Sequence, residues 1–293
     1  MGARPPFARR PHRSAPRSRL ASVFALVLLV LTLVGCSGGS AAPDATTVTS
    51  TGGGQGADAS GVTLTVSAAS DLALALDQLG PLFTAETGVT VTVNLGSSGQ
   101  LAQQIEQGAP VDVFFSANRR YVDELVEKGI VGPEDTALYG VGRITLWTRA
   151  DSGVRVEALS DLTDPAVKRI AIANPDHAPY GMAAREALQS AGLWDALQPK
   201  IVMAENVLQA LQFAASGNAD VALVARSLSV QGDGRWTLVP AELHQPIEQT
   251  LAVIASSAHA EWGRRFADFV NGPSGRPILD SYGFVLPDVA TRD

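Results

Sequence analysis

The sequence predicts an α/β fold in which parallel sheets are covered by helices, on three observations. From residue 62 onward, apolar runs of strand length alternate with segments of helical period. The loops between them are short, and a glycine stops one helical pattern after another, at Gly88, Gly108 and Gly129. With 46% hydrophobic and 17% charged residues among 293, the chain can bury a sizeable core, and 28 Gly with 17 Pro predict many turns.

In order, residues 62–68 read as a buried strand. Residues 72–87 read as a helix, with Leu72, Leu74, Leu76, Leu79 and Phe83 as its apolar positions. A strand over 89–95 follows, then a helix over 100–107, a strand over 111–116 and a helix over 120–128. A strand over 143–148 opens a second set, with a strand over 169–173, helices over 181–190 and 207–215, and a strand over 220–225. A strand near 250–254, a helix over 260–270 and Tyr282-Gly283-Phe284 complete the chain. Gly108 with Asp112-Val113 is echoed by Gly217 with Asp220-Val221. Two similar α/β lobes and a generic helix-Gly-strand junction explain that echo equally well.

The N-terminal region reads as an address. Six Arg and no acid lie within residues 1–35, which leaves 16 bases against 29 acids, a net −13, in the rest of the chain. Nucleic acid is a poor partner for such a surface. An apolar run over 20–34 matches a signal-peptide core and is shorter than the roughly 20 residues a spanning helix needs. Leu33-Val34-Gly35-Cys36 resembles a lipobox, so residues 1–35 are expected to be a lipoprotein signal peptide and Cys36, the only cysteine, the lipid anchor. Residues 36–61 are rich in Gly, Ala, Ser and Thr and read as a flexible linker. The Gly-x-Ser-x-Gly pattern at Gly35–Gly39 lacks the strand and helix of a nucleophile elbow.

No metal-ligand spacing, P-loop or dinucleotide fingerprint is present, and His177, between Pro175 and Pro179, reads as a loop-structuring residue. Small polar residues cluster instead at helix starts: Ser70-Asp71, Ser97-Ser98-Gly99, Tyr180-Gly181 and Asn206-Val207. First-turn N–H groups lack intrahelical acceptors and can hold an anion without a formal cation. Ordinary N-capping accounts for the same residues, and Ser97-x-x-Gln100 has the spacing of a capping box.

Taken together, 64–72 (LTVSAASDL), 96–117 (GSSGQLAQQIEQGAPVDVFFSA), 174–181 (NPDHAPYG), 204–207 (AENV) and Tyr282-Gly283-Phe284 resemble the solute-binding proteins of molybdate ABC transporters. The resemblance implies a type 2 periplasmic-binding-protein fold: two α/β lobes, 62–141 plus 229–293 and 142–228, with a ligand cleft between them. It implies an exported monomeric receptor, anchored to the membrane by lipid, that captures molybdate or tungstate and delivers it to an ABC permease. Neither cofactor nor catalysis is expected. A receptor for another tetrahedral oxyanion such as sulfate is the rival within the class, and an exported hydrolase, needing a base near Ser98, is the rival outside it. The family's ligand positions fall on Ser70 or Asp71, Ser98, Tyr180 and Val207, the last through its N–H. An ionised Asp71 would repel an oxyanion, so it is expected to point away as a cap. Ala225 stands where many members carry Tyr, and Tyr180 is expected to supply that phenol. Asn118 replaces the usual Asp.

Overall fold

The computed structural model describes Ala59 and residues 61–287. The expected signal peptide, Cys36 and the linker up to residue 58 lie outside the described residues. The chain begins with β1 (Thr63–Ala69), a 3-10 turn (Ser70–Leu72) and α1 (Ala73–Thr87). It continues through β2 (Thr90–Gly96), α2 (Ser98–Glu106), β3 (Val113–Ser116), α3 (Arg119–Glu127) and β4 (Val131–Gly142). Arg143 alone separates β4 from β5 (Ile144–Arg149). Next come β6 (Ile170–Ala173), α4 (Pro179–Ser190), α5 (Trp194–Leu197), β7 (Ile201–Ala204), α6 (Val207–Ala215), β8 (Val221–Ala225), α7 (Arg226–Ser229) and β9 (Gly234–Leu238). The chain returns in β10 (Ile247–Ile254), α8 (Ala260–Asn271) and α9 (Arg276–Ser281).

Two five-stranded sheets result, ordered β2-β1-β3-β10-β4 and β7-β6-β8-β5-β9. They are mixed rather than parallel as expected: β1, β2 and β3 run parallel, as do β6, β7 and β8, whereas β10 and β5 pair antiparallel with their neighbours. The antiparallel strands are those the chain enters by crossing from one sheet to the other, which the local strand-helix alternation does not encode. One boundary also moves. The sequence returned the chain to the first lobe at residue 229, yet β9 pairs with β5 in the second sheet, and the first sheet resumes only at Ile247.

The echo around the two aspartates has a common structural basis. Asp112 Oδ2 accepts the Thr65 N–H at 2.7 Å, and Asp220 Oδ2 accepts the N–H groups of Lys168 and Arg169 at 2.8 Å each. In both sheets a carboxylate just before the third parallel strand ties down the start of its neighbour, where the ladder leaves donors unpaired.

β4 escaped the sequence reading because Gly132-Pro133-Glu134-Asp135 reads as a turn. Pro133 is tolerated because β4 is an edge strand whose register against β10 breaks between Ala252 and Ile254. Arg264 of α8 grips this break through Asp135, with Nε–Oδ1 at 2.6 Å and Nη2–Oδ2 at 3.0 Å, a forked pair. Behind the first sheet, Phe83, Phe115, Tyr139 and Phe266 pack edge to face at centroid distances of 5.0–5.9 Å. Tyr282 and Phe284 join this core: Gln78 donates to the Tyr282 hydroxyl at 2.6 Å, Phe284 meets Tyr139, and Val285 bridges to Val141. The C-terminal motif therefore braces β4, the strand that leads into the crossing.

Candidate functional site

In both sheets the parallel strands end toward one cavity, the place where open α/β sheets commonly hold ligands. Ser70 and Asp71 follow β1, Ser97 and Ser98 follow β2, Ala117 follows β3, Tyr180 opens α4 after β6, and Val207 opens α6 after β7. All of them border one small cavity. The five residues singled out as oxyanion ligands (Ser70, Asp71, Ser98, Tyr180 and Val207) thus stand together. Each is buried, and no Lys, Arg or His is among the described residues lining the cavity.

The serines are oriented from behind. Ser98 Oγ accepts the Ala117 N–H at 2.9 Å, and Ser70 Oγ accepts the Leu208 N–H at 3.3 Å. A hydroxyl that accepts through a lone pair keeps its proton for another acceptor. Ser98, Tyr180 and Val207 lie in the first turns of α2, α4 and α6, so their N–H groups lack intrahelical acceptors and carry the positive end of each helix dipole. The cavity thus offers hydroxyl and amide donors without a formal positive charge, which suits a small anion.

Capping accounts for some helix starts and not others. Asn206 Oδ1 caps α6 through Gln209 N–H at 3.0 Å, and Asn118 caps α3 through Arg120 N–H at 2.9 Å. The capping box expected at Ser97 does not form: its hydroxyl donates to Gln100 Oε1 at 3.0 Å and lies 2.7 Å from His177 Nδ1. Asp71 does not act as a cap either. Its Oδ2 accepts from Tyr180 O–H at 3.0 Å and Gln249 Nε2 at 2.8 Å, while Oδ1 is buried without a partner. Burial pushes the Asp71 carboxyl up to about 7, against the lowering effect of the Tyr180 and Gln249 hydrogen bonds.

Tyr139, Gln249 and Gly142 complete this arrangement and were missed in the sequence. Tyr139 donates to Gln249 Oε1 at 2.7 Å, which turns Nε2 toward Asp71 and toward the Tyr180 hydroxyl at 3.0 Å. A Cβ on Gly142 would collide with that hydroxyl, so glycine leaves room for it. The available signal was Gln249 itself, a polar residue whose same-face neighbours two positions away, Ile247 and Leu251, are apolar and buried.

His177 does more than shape its loop. Besides the Ser97 contact, its carbonyl accepts from Gly99 N–H at 3.0 Å and Tyr121 O–H at 3.5 Å, and Gln100 donates to Glu205 at 2.9 Å. These bonds join elements of the first sheet to the β6–α4 and β7–α6 loops of the second. A Cβ on Gly99 would stand 2.8 Å from the His177 carbonyl oxygen, so the close approach requires glycine there. The Ser97–His177 pair is half of a nucleophile-base arrangement, but no carboxylate engages Nε2 of His177 among the described residues, and Ser98 contacts no base.

Comparison with known proteins follows the same lines. Residues 64–285 match the family described as bacterial extracellular solute-binding protein. The molybdate-binding protein ModA of Rhodobacter capsulatus is 39% identical over 210 residues, which cover 71% of this chain and 82% of that protein. A putative ABC transporter substrate-binding lipoprotein of Bacillus subtilis, YvgL, is 29% identical over 231 residues, covering 76% of this chain and 86% of that one. The solved structure of the Azotobacter vinelandii periplasmic molybdate-binding protein superposes with a TM-score of 0.73 at 34% identity, covering 76% of this chain and 99% of that one.

Proposed function

Because the chain belongs to the bacterial extracellular solute-binding proteins and has the two-lobed type 2 periplasmic-binding fold of its molybdate-binding relatives, we propose that it is an extracytoplasmic receptor for molybdate. It takes tungstate as well, acts as a monomer and delivers its ligand to an ABC permease. The observation that carries this reading is the convergence of Ser70, Ser98, Tyr180 and Val207 around one cation-free cavity of small volume. In this reading the lobes are the two sheets with their helices, and the bonds around His177 and Glu205 belong to the closed, ligand-holding form.

Titration with molybdate, tungstate, sulfate and phosphate tests it. Ligand binding to the folded state raises its melting temperature by mass action, so molybdate and tungstate are expected to raise it where equal phosphate does little. Equal shifts for molybdate and phosphate would remove the specificity, and a response to sulfate alone would transfer the site to the rival oxyanion. Ser98→Ala deletes a donor to a charged ligand, worth about 1.5–3 kcal/mol, or roughly tenfold to a hundredfold in affinity. Were Ser98 only a bracket for the Ala117 N–H, stability would fall and affinity would hold.

The lipobox motivates membrane attachment through Cys36. Cys36→Ser is expected to release the protein from the membrane fraction with its oxyanion binding intact, and a variant that still sediments with membranes would refute the anchor.

A further inference from the structure

Asp71 is the one acidic side chain among the described residues bordering the cavity, and its two oxygens are not equivalent. Oδ2 is occupied twice, by the Tyr180 hydroxyl and by Gln249 Nε2, and Tyr139 holds the Gln249 amide in that orientation. Oδ1 is buried and meets neither donor nor acceptor. A proton on Oδ2 would have to displace one of its donors, whereas a proton on Oδ1 displaces nothing.

Resting on the oxyanion reading above, we infer that Asp71 enters the complex as the neutral acid and donates an Oδ1–H···O hydrogen bond to the bound dianion, so that capture by protein whose Asp71 is ionised takes up one proton from water. The balance is simple: one O–H bond forms on the carboxylate, the solvent buffer supplies the proton, and nothing is oxidised or reduced. An ionised Asp71 would instead place a third negative charge in a cavity without cations, where low polarisability makes like charges costly.

The surroundings of Asp71 favour the acid. The titratable groups facing it are the phenols of Tyr180 and Tyr139. Arg226, on the α7 helix packed beside it, turns to the Gly283 carbonyl at 3.3 Å, and Asp77 of α1 and Glu248 of β10 are exposed. Burial already brings the carboxyl to about 7 before any anion is present, and a dianion alongside raises it further. The arrangement also gives a basis for selectivity. Molybdate and tungstate have no proton of their own near neutrality and accept the one on Oδ1 through any oxygen, whereas the P–O–H of hydrogenphosphate needs an acceptor of its own that a protonated Asp71 does not supply.

The test is calorimetric titration of the full chain with sodium molybdate at pH 6 and pH 8, in buffers of different ionisation enthalpy. Uptake of about one proton per molybdate is expected at pH 8 and far less at pH 6, with Kd rising about tenfold per pH unit above the Asp71 titration. In Asp71→Asn, which keeps an acceptor for Tyr180 and Gln249 and puts an N–H donor at the Oδ1 position, Kd should not move with pH. Molybdate binding at pH 8 without proton uptake would overturn the inference while leaving the receptor reading standing. So would a preference for hydrogenphosphate over molybdate at pH 8 that Asp71→Asn reverses. Absence of molybdate binding at both pH values would instead sink the receptor reading, and this inference with it.

Discussion

Ligand-free protein carrying Asp71→Asn is expected to be more stable than the parent at pH 8 by up to about 4 kcal/mol, because that is the free energy equivalent to raising a carboxyl from 3.8 to about 7. The sign follows from proton counting. Between those two values the folded protein keeps a proton that the unfolded chain has released, so stability falls as pH rises. The contribution of the neutral acid is fully present below about 3.8 and lost by the time pH has risen through about 7. Asn cannot ionise and escapes the loss, while every other titrating group is common to both proteins. The advantage of the variant should therefore be small near pH 4, grow through the window and level off above it. At a few degrees per kcal/mol for a body of this size, the plateau corresponds to a melting-temperature gain of roughly 10 °C. Thermal melts of both proteins across that range decide the matter, and parallel curves would mean that Asp71 reaches solvent in the ligand-free state.

What the sequence reveals about this site and what it conceals divide along the distance between partners. Ser97, Ser98, Tyr180 and Val207 were legible as a candidate anion site because a helix start is a local event, written in a few neighbouring residues. Their convergence was legible only through the resemblance to known solute-binding proteins. The orientation of Asp71 was not legible at all. Its partners lie 109 and 178 residues away, and the residue that orients Gln249 lies 110 residues from it. Read alone, an aspartate at a helix start is a cap, and only the return of β10 beside β3 turns it inward. The fold shows the same division. The parallel units β1–β2–β3 and β6–β7–β8 follow from strand-helix alternation. The antiparallel strands β5 and β10 depend on two chain crossings, and β4, which leads into the first of them, is disguised by Pro133 at an edge where a missing N–H costs little.

Tyr180→Phe separates two roles for the phenol. Its hydroxyl donates to Asp71 Oδ2 and accepts from Gln249 Nε2, both at 3.0 Å, so its bonds lie within the protein. Removing it strips one donor from a buried carboxyl, and stability should fall by about 1–3 kcal/mol, the usual cost of leaving a buried polar group short of a partner. The Tyr180 hydrogen bond also holds the Asp71 carboxyl down, so its loss should raise that group and move the pH at which molybdate affinity begins to fall upward. Were the phenol instead a direct donor to the anion, as the empty tyrosine position at Ala225 suggested, affinity would drop by about 1.5–3 kcal/mol at every pH and the midpoint would stay where it is. The cavity has room for only one of these outcomes to dominate, because a single O–H cannot serve both Asp71 and the ligand. Binding curves for the variant at pH 6, 7 and 8 distinguish them. A profile superimposable on the parent's in both affinity and midpoint would remove the Tyr180 hydroxyl from the site altogether.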